Sequence, residues 1–185
     1  MLIPVSDGLI DFIERIAALR TQAEASHLRP DGNVICKAMA IWTDLNNWQP
    51  NPEWAKPRQL ITTFYQRALF IWLFSVMYPD GRADEKVQTI VRNTTISMAE
   101  IKPDDGVMAC LLFPLFIVAT AAITPQDRDA ISAHFRRLRA WSSLGNIDLT
   151  YQIVEKMWED HDRGVPGCWD WVKQLQSHNL SFMVT

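Results

Sequence analysis

The stretch from Val107 to Ile123, VMACLLFPLFIVATAAI, constrains the fold more than any other part of the chain. It carries no charge and would be apolar on every face of a helix, so it needs cover on all sides. A bilayer is the other kind of cover. The run is 17 residues long, holds Pro114 and Thr120, and follows Asp104 and Asp105 rather than basic anchors. A span needs ~20 apolar residues with basic or aromatic flanks, so the expectation is a buried helix from about Met108 to Ile123 and no membrane segment. Pro114 inside it lacks an amide proton and crowds the carbonyl of Cys110, which predicts a kink.

The next helix announces itself. Thr124 can cap it, Pro125 suits its first position, Asp127 and Asp129 fall in its first turn, and Arg136, Arg137 and Arg139 lie near its end. Ile131, Phe135, Leu138 and Trp141 make one apolar stripe facing the helix before. The same reasoning places further helices along the chain. Ser6 is a cap for Leu9, Phe12, Ile13 and Ile16, with an end near Arg20, and a second helix runs over 34–45 after the turn residues Pro30, Asp31 and Gly32. A Pro-rich loop over 46–57 holds Trp48 and Trp54 as aromatic pins.

Residues 59–78 form the longest periodic run, with Ile61, Phe64, Tyr65, Ala68, Trp72 and Val76 in line and Leu69, Leu73 and Met77 beside them. Val87, Ile90, Val91, Met98 and Ile101 mark a narrower helix. After Gly145 and Asn146, the residues Ile147, Tyr151, Val154, Met157 and Trp158 mark another, which Gly164, Pro166 and Gly167 close. Trp169, Val172 and Leu175 mark a last short one, ending near Gln176. No segment alternates at strand period. The expectation is an all-α protein: a single globular helical domain of about eight helices around a buried central helix. Residues 1–57 are amino-terminal helices and a Pro/Trp-rich loop, part of the core or packed on it; 58–176 are the core, and 177–185 a tail.

Composition narrows the chemistry. With a net charge of −3 the chain has no basic surface for counterion release, so no direct nucleic-acid binding is expected of it. Cys36, Cys110 and Cys168 are odd in number and far apart, which argues against a disulfide framework and for a reducing compartment, nucleus or cytoplasm. No basic leader precedes the first apolar run. His27, His134, His161 and His178 fall on different segments without ligand spacing, so no metal and no cofactor is expected. Asp160, His161 and Asp162 are a tight acid and imidazole group, read as a solvated helix end rather than a proton-transfer site. No nucleophile elbow or phosphate loop occurs, and no catalytic residue is assigned.

The aromatic side chains are the remaining candidates. Trp72, Met77, Phe113 and Phe116 belong to the two most buried helices, and Tyr151 and Trp158 to one that could close over them. A kink at Pro114 would open a hydrophobic pocket among these six, fit for a hydrophobic small molecule.

Several segments resemble one family. LLFPLFIVATAAITPQDRDAISAHFRRL, GNIDLTYQIVEKMWEDHD, CWDWVKQL and FYQRALFIWLFSVMYP are similar to the regulatory domain of fungal-specific transcription factors of the binuclear zinc-cluster type, over about Arg58 to Leu175 and more weakly back to LIDFIERIAALR. The resemblance implies an all-helical domain that senses small molecules, dimerises or restrains activation, without the DNA-binding module, since no six-cysteine cluster is present. A homodimer is thus an expected partner. The sequence departs from the pattern at Val118, Ala119, Thr120 and Ala121, where a glycine and an acidic residue are expected. The alternative is a stand-alone relative that binds or converts a hydrophobic metabolite in the aromatic pocket.

Overall fold

Helix periodicity over nearly the whole chain is realised as helix. A computed structural model describes residues 8–25 and 32–177, and among these are eight α-helices and no strand. They are α1 (Leu9–Ala25), α2 (Gly32–Asn47), α3 (Lys56–Met77), α4 (Glu85–Met98), α5 (Leu112–Ala121), α6 (Pro125–Trp141), α7 (Gly145–Asp162) and α8 (Trp171–Ser177), with 3₁₀ turns at Gly81–Ala83 and Met108–Cys110. The expected Ser6 cap, together with His27, Pro30, Asp31, His178 and the tail, lies outside the described residues.

The apolar run does form the centre. Every residue of α5 from Pro114 to Ala121 is buried, and α3, α4, α6 and α7 surround it. The expected long kinked helix is instead two pieces. A 3₁₀ turn carries Met108–Cys110, and α5 starts afresh at Leu112. Pro114 therefore sits in the first turn, where its missing N–H would have had no partner within the helix. The bond Leu115 N–H to Leu111 O, 3.0 Å, begins the regular ladder directly after it.

α6 starts as its sequence predicts. The Thr124 hydroxyl accepts from the Asp127 amide at 3.1 Å and donates to that residue's carboxylate at 2.6 Å. Ile131, Phe135 and Leu138 are buried, but Trp141 turns out to be 42% exposed, beyond the edge of the core. α7 ends in a Schellman arrangement: Gly164 adopts φ +72°, its N–H bonds His161 O at 2.9 Å, and Val165 N–H bonds Asp160 O at 2.9 Å. α4 stops at Met98, short of the expected Ile101: the chain tightens there into i→i−3 turns, and the Arg137 guanidinium takes the carbonyls of Met98 and Ile101 at 3.1 and 2.6 Å.

Among the described residues α3 is long and apolar enough to cross a bilayer by length and composition, a candidate that the sequence reading did not raise. Its apolar face is engaged inside the protein, against α1, α2, α4 and α5. The loop before it is held by more than aromatic pins. Gln66 Nε2 donates to the carbonyls of Leu45 and Trp48, Gln59 Nε2 to those of Pro52 and Trp54, and the Arg58 guanidinium lies 4.0 Å from the Trp54 ring centroid.

Candidate functional site

Five of the six residues singled out in the sequence join three separate groups of rings. Trp72 and Phe116 meet on a ring that the sequence did not assign to the site, Trp171, with centroids 5.0 and 5.6 Å away. Phe113 stacks on Tyr65 at 5.4 Å, and burial raises that phenol's pKa above its ordinary value. Tyr151 stands 4.9 Å from Phe135 and 6.5 Å from Trp158, and its hydroxyl donates to Ser132 Oγ at 2.8 Å. Met77 is half-buried near the end of α3.

A polar centre lies next to these rings, at the carboxyl end of α5. The last carbonyls of a helix have no partner within it, and a buried helix cannot give them to water. Four side chains supply the donors. Trp158 Nε1 reaches Ala119 O at 2.8 Å and Gln88 Nε2 reaches Ala121 O at 2.9 Å. Arg82 Nη2 and Arg128 Nε both reach Ala122 O, at 3.2 and 3.4 Å. The first 3₁₀ turn, α4, α6 and α7 thus converge on the carbonyls of Ala119, Ala121 and Ala122.

Charge is concentrated there. Arg82 is 3% exposed, and burial brings its guanidinium down to about 10. Arg128 makes a two-point pair with Asp162, 2.7 and 2.8 Å, and lies over the Trp158 ring at 5.3 Å. That pair holds the Asp162 carboxyl below its usual range. His161 is shifted down by burial and by the two arginines, so the acid and imidazole group of the sequence is half of a larger cluster. Arg82, Gln88 and Arg128 were missed because single polar residues at unrelated places in a sequence give no sign that they will share one helix end. Among the described residues no group of His, Cys, Asp and Glu is placed to hold a metal ion.

A second feature lies on the surface. Trp42, Phe70 and Ile90 floor an open groove of about 460 Å³ between α2, α3 and α4, with Asn46, Glu85 and Lys86 at its rim. Trp42 and Phe70 meet edge to face at 4.8 Å. This groove was legible in principle: Ile35, Met39 and Trp42 recur at helical spacing on a stripe about 100° round α2 from its buried one.

An all-helical domain with a wholly buried central helix, capped by side chains from its neighbours, is the class that fold and site define. The chain belongs to the fungal specific transcription factor domain family, whose model matches residues 2–185, more than the stretch from Arg58 to Leu175 that carried the resemblance. Membership makes it a regulatory domain of the fungal transcription factor type. No curated protein and no solved structure matches it.

Proposed function

We propose that the chain is a regulatory domain of a nuclear transcription factor that makes no DNA contact of its own and pairs with a second copy through α2. The observation that carries this reading is the double apolar face of α2. Val34, Ala38, Ile41 and Leu45 are buried against the core, while Ile35 and Met39, on the neighbouring stripe about 100° round the helix, are 43% and 58% exposed and share that stripe with Trp42 of the groove. A helix whose apolar surface extends past its buried stripe asks for cover there as well. Glu85 and Lys86 at the groove rim suit a two-fold partner, since each copy's lysine can then face the other's glutamate. Sedimentation equilibrium of the full chain at about 10 μM should give a dimer, and Met39→Glu a monomer with unchanged helical circular dichroism. A wild-type chain still monomeric at about 100 μM would sink the reading.

A hydrophobic ligand is the second reading, and the groove favours it, because its volume falls in the ~300–1,000 Å³ range of small-molecule sites. A ligand among Trp72, Met77, Phe113, Phe116, Tyr151 and Trp158 would first have to part rings already in contact. Lipophilic compounds that bind the groove raise the melting temperature of the wild type and leave Ile90→Glu unmoved. A rise of equal size in both proteins would place the ligand elsewhere.

A further inference from the structure

At the end of α5, buried hydrogen-bond donors gather without acceptors. Arg82 uses Nη2 on Ala122 O, but its Nε and Nη1 have no hydrogen-bond partner although the residue is 3% exposed. Trp169, 2% exposed, leaves its Nε1 equally unpartnered. A buried donor without an acceptor costs about 1–3 kcal/mol, and more when charged, so the free Nε and Nη1 of Arg82 point to negative charge that they are built to receive. The groups acting electrostatically on Arg82 are Cys168, Arg128 and Asp162. Both oxygens of Asp162 are already engaged by Arg128. What remains beside Arg82 is the side chain of Cys168, 7% exposed and close enough to act on that guanidinium. Cys168 directly precedes Trp169 and follows the exposed turn Val165, Pro166 and Gly167, in which Gly167 adopts φ +68°.

We propose that Cys168 is a site of reversible oxidation by a small peroxide, with Arg82 as the group that holds the oxidised, anionic sulfur. The thiolate sulfur attacks one peroxide oxygen, so that an S–O bond forms and the O–O bond breaks. The departing hydroxide takes up the proton lost by the thiol and leaves as water. Sulfur gives up two electrons and the peroxide accepts them. The product is a sulfenic acid whose ionised oxygen can accept from Arg82 Nε and Nη1. A small thiol reverses the step: one molecule displaces water to form a mixed disulfide, and a second releases Cys168 as its thiol. Negative charge on this sulfur ties the turn to the end of α5 and, through it, seats Trp169 and α8. The proposal is independent of pairing through α2.

The test treats the full chain with hydrogen peroxide, traps sulfenic acid with dimedone and measures labelling of each cysteine by mass spectrometry. Cys36, exposed, and Cys110, half-buried, are references in the same molecule. Cys168 should be labelled about tenfold faster than Cys36 despite its burial, and Arg82→Met should bring it down to the rate of Cys36. Labelling of Cys168 no faster than that of Cys36 overturns the proposal. Because Arg82 also caps α5, a second comparison leaves it in place. Cys168→Asp and Cys168→Asn differ by little more than a charge, and the aspartate variant should melt about 4 °C or more above the asparagine variant. Burial at an unprepared position would penalise the charged variant, so an equal or lower melting temperature for Cys168→Asp also overturns it.

Discussion

At the scale of single residues, the polar groups of the interior act as caps. His134 is 8% exposed and its ring Nε2–H donates to Thr95 O at 2.8 Å, which ties α6 to α4. Burial, opposed by that bond and reinforced by Arg137, lowers its pKa from the ordinary 6.5. Below that value the unfolded chain takes up a proton that the folded chain does not, so the unfolded state binds more protons and stability rises with pH. The contribution is complete above the ordinary value and is lost as pH falls below it. Urea unfolding at about pH 7.5 and about pH 5.5 should show the lower midpoint at the lower pH. His134→Gln, which keeps a donor for Thr95 O, should flatten the difference. The slope should not vanish, because His161 is shifted in the same direction. An unchanged slope would mean that His134 is not the group responsible. Neither role could be read from the sequence, where His134 is one imidazole on a helix and Thr95 a hydroxyl with no mark of its carbonyl's use.

At the scale of elements, legibility followed whether a signal is local. Thr124 and Gly164 carry complete local instructions, a cap three residues from its amide and a left-handed glycine behind a helix, and both ends formed where they were expected. Pro114 carries half an instruction, since proline excludes an amide bond but does not say whether the helix has yet begun. The structure puts it in the first turn, and the substitution Pro114→Ala tells the two cases apart. Relief of a proline inside a helix would stabilise by up to ~3 kcal/mol. In a first turn alanine instead adds freedom to the unfolded chain and costs about 0.4–1 kcal/mol, which denaturant midpoints resolve. Gly81 gives a sharper case: a Cβ there would come within 2.7 Å of Phe74 Cε1 and 2.9 Å of Tyr78 Cβ. Gly81→Ala should therefore cost about 1–3 kcal/mol by overpacking the turn that delivers Arg82 to α5. Nothing local in the sequence signals the ring behind Gly81.

At the scale of the whole molecule, the two ends of the chain are joined over α3. Arg20 on α1 holds Asp170, 150 positions away, with Nε to Oδ1 at 3.1 Å and Nη2 to Oδ2 at 2.9 Å. One residue further on, Trp171 packs between Trp72 of α3 and Phe116 of α5. The hydrophobic core runs without interruption from Leu9 to Leu175. Contacts of such separation leave no trace in local periodicity, which is why Trp72 and Phe116 were legible as candidates and the ring between them was not. The same contacts say how the chain should unfold. If the first 57 residues were only packed on the rest, tryptophan fluorescence and far-UV circular dichroism would report separate urea transitions. With α1 fastened to the segment before α8, and α8 wedged against α3 and α5, the two probes should coincide in one transition. Trp171→Ala removes the wedge, and its cost of about 3–5 kcal/mol is a large part of the 5–15 kcal/mol that usually holds a domain together. Both probes should then shift together to a much lower midpoint. A variant in which circular dichroism keeps the wild-type midpoint while fluorescence alone moves would show that α8 detaches from a core stable without it.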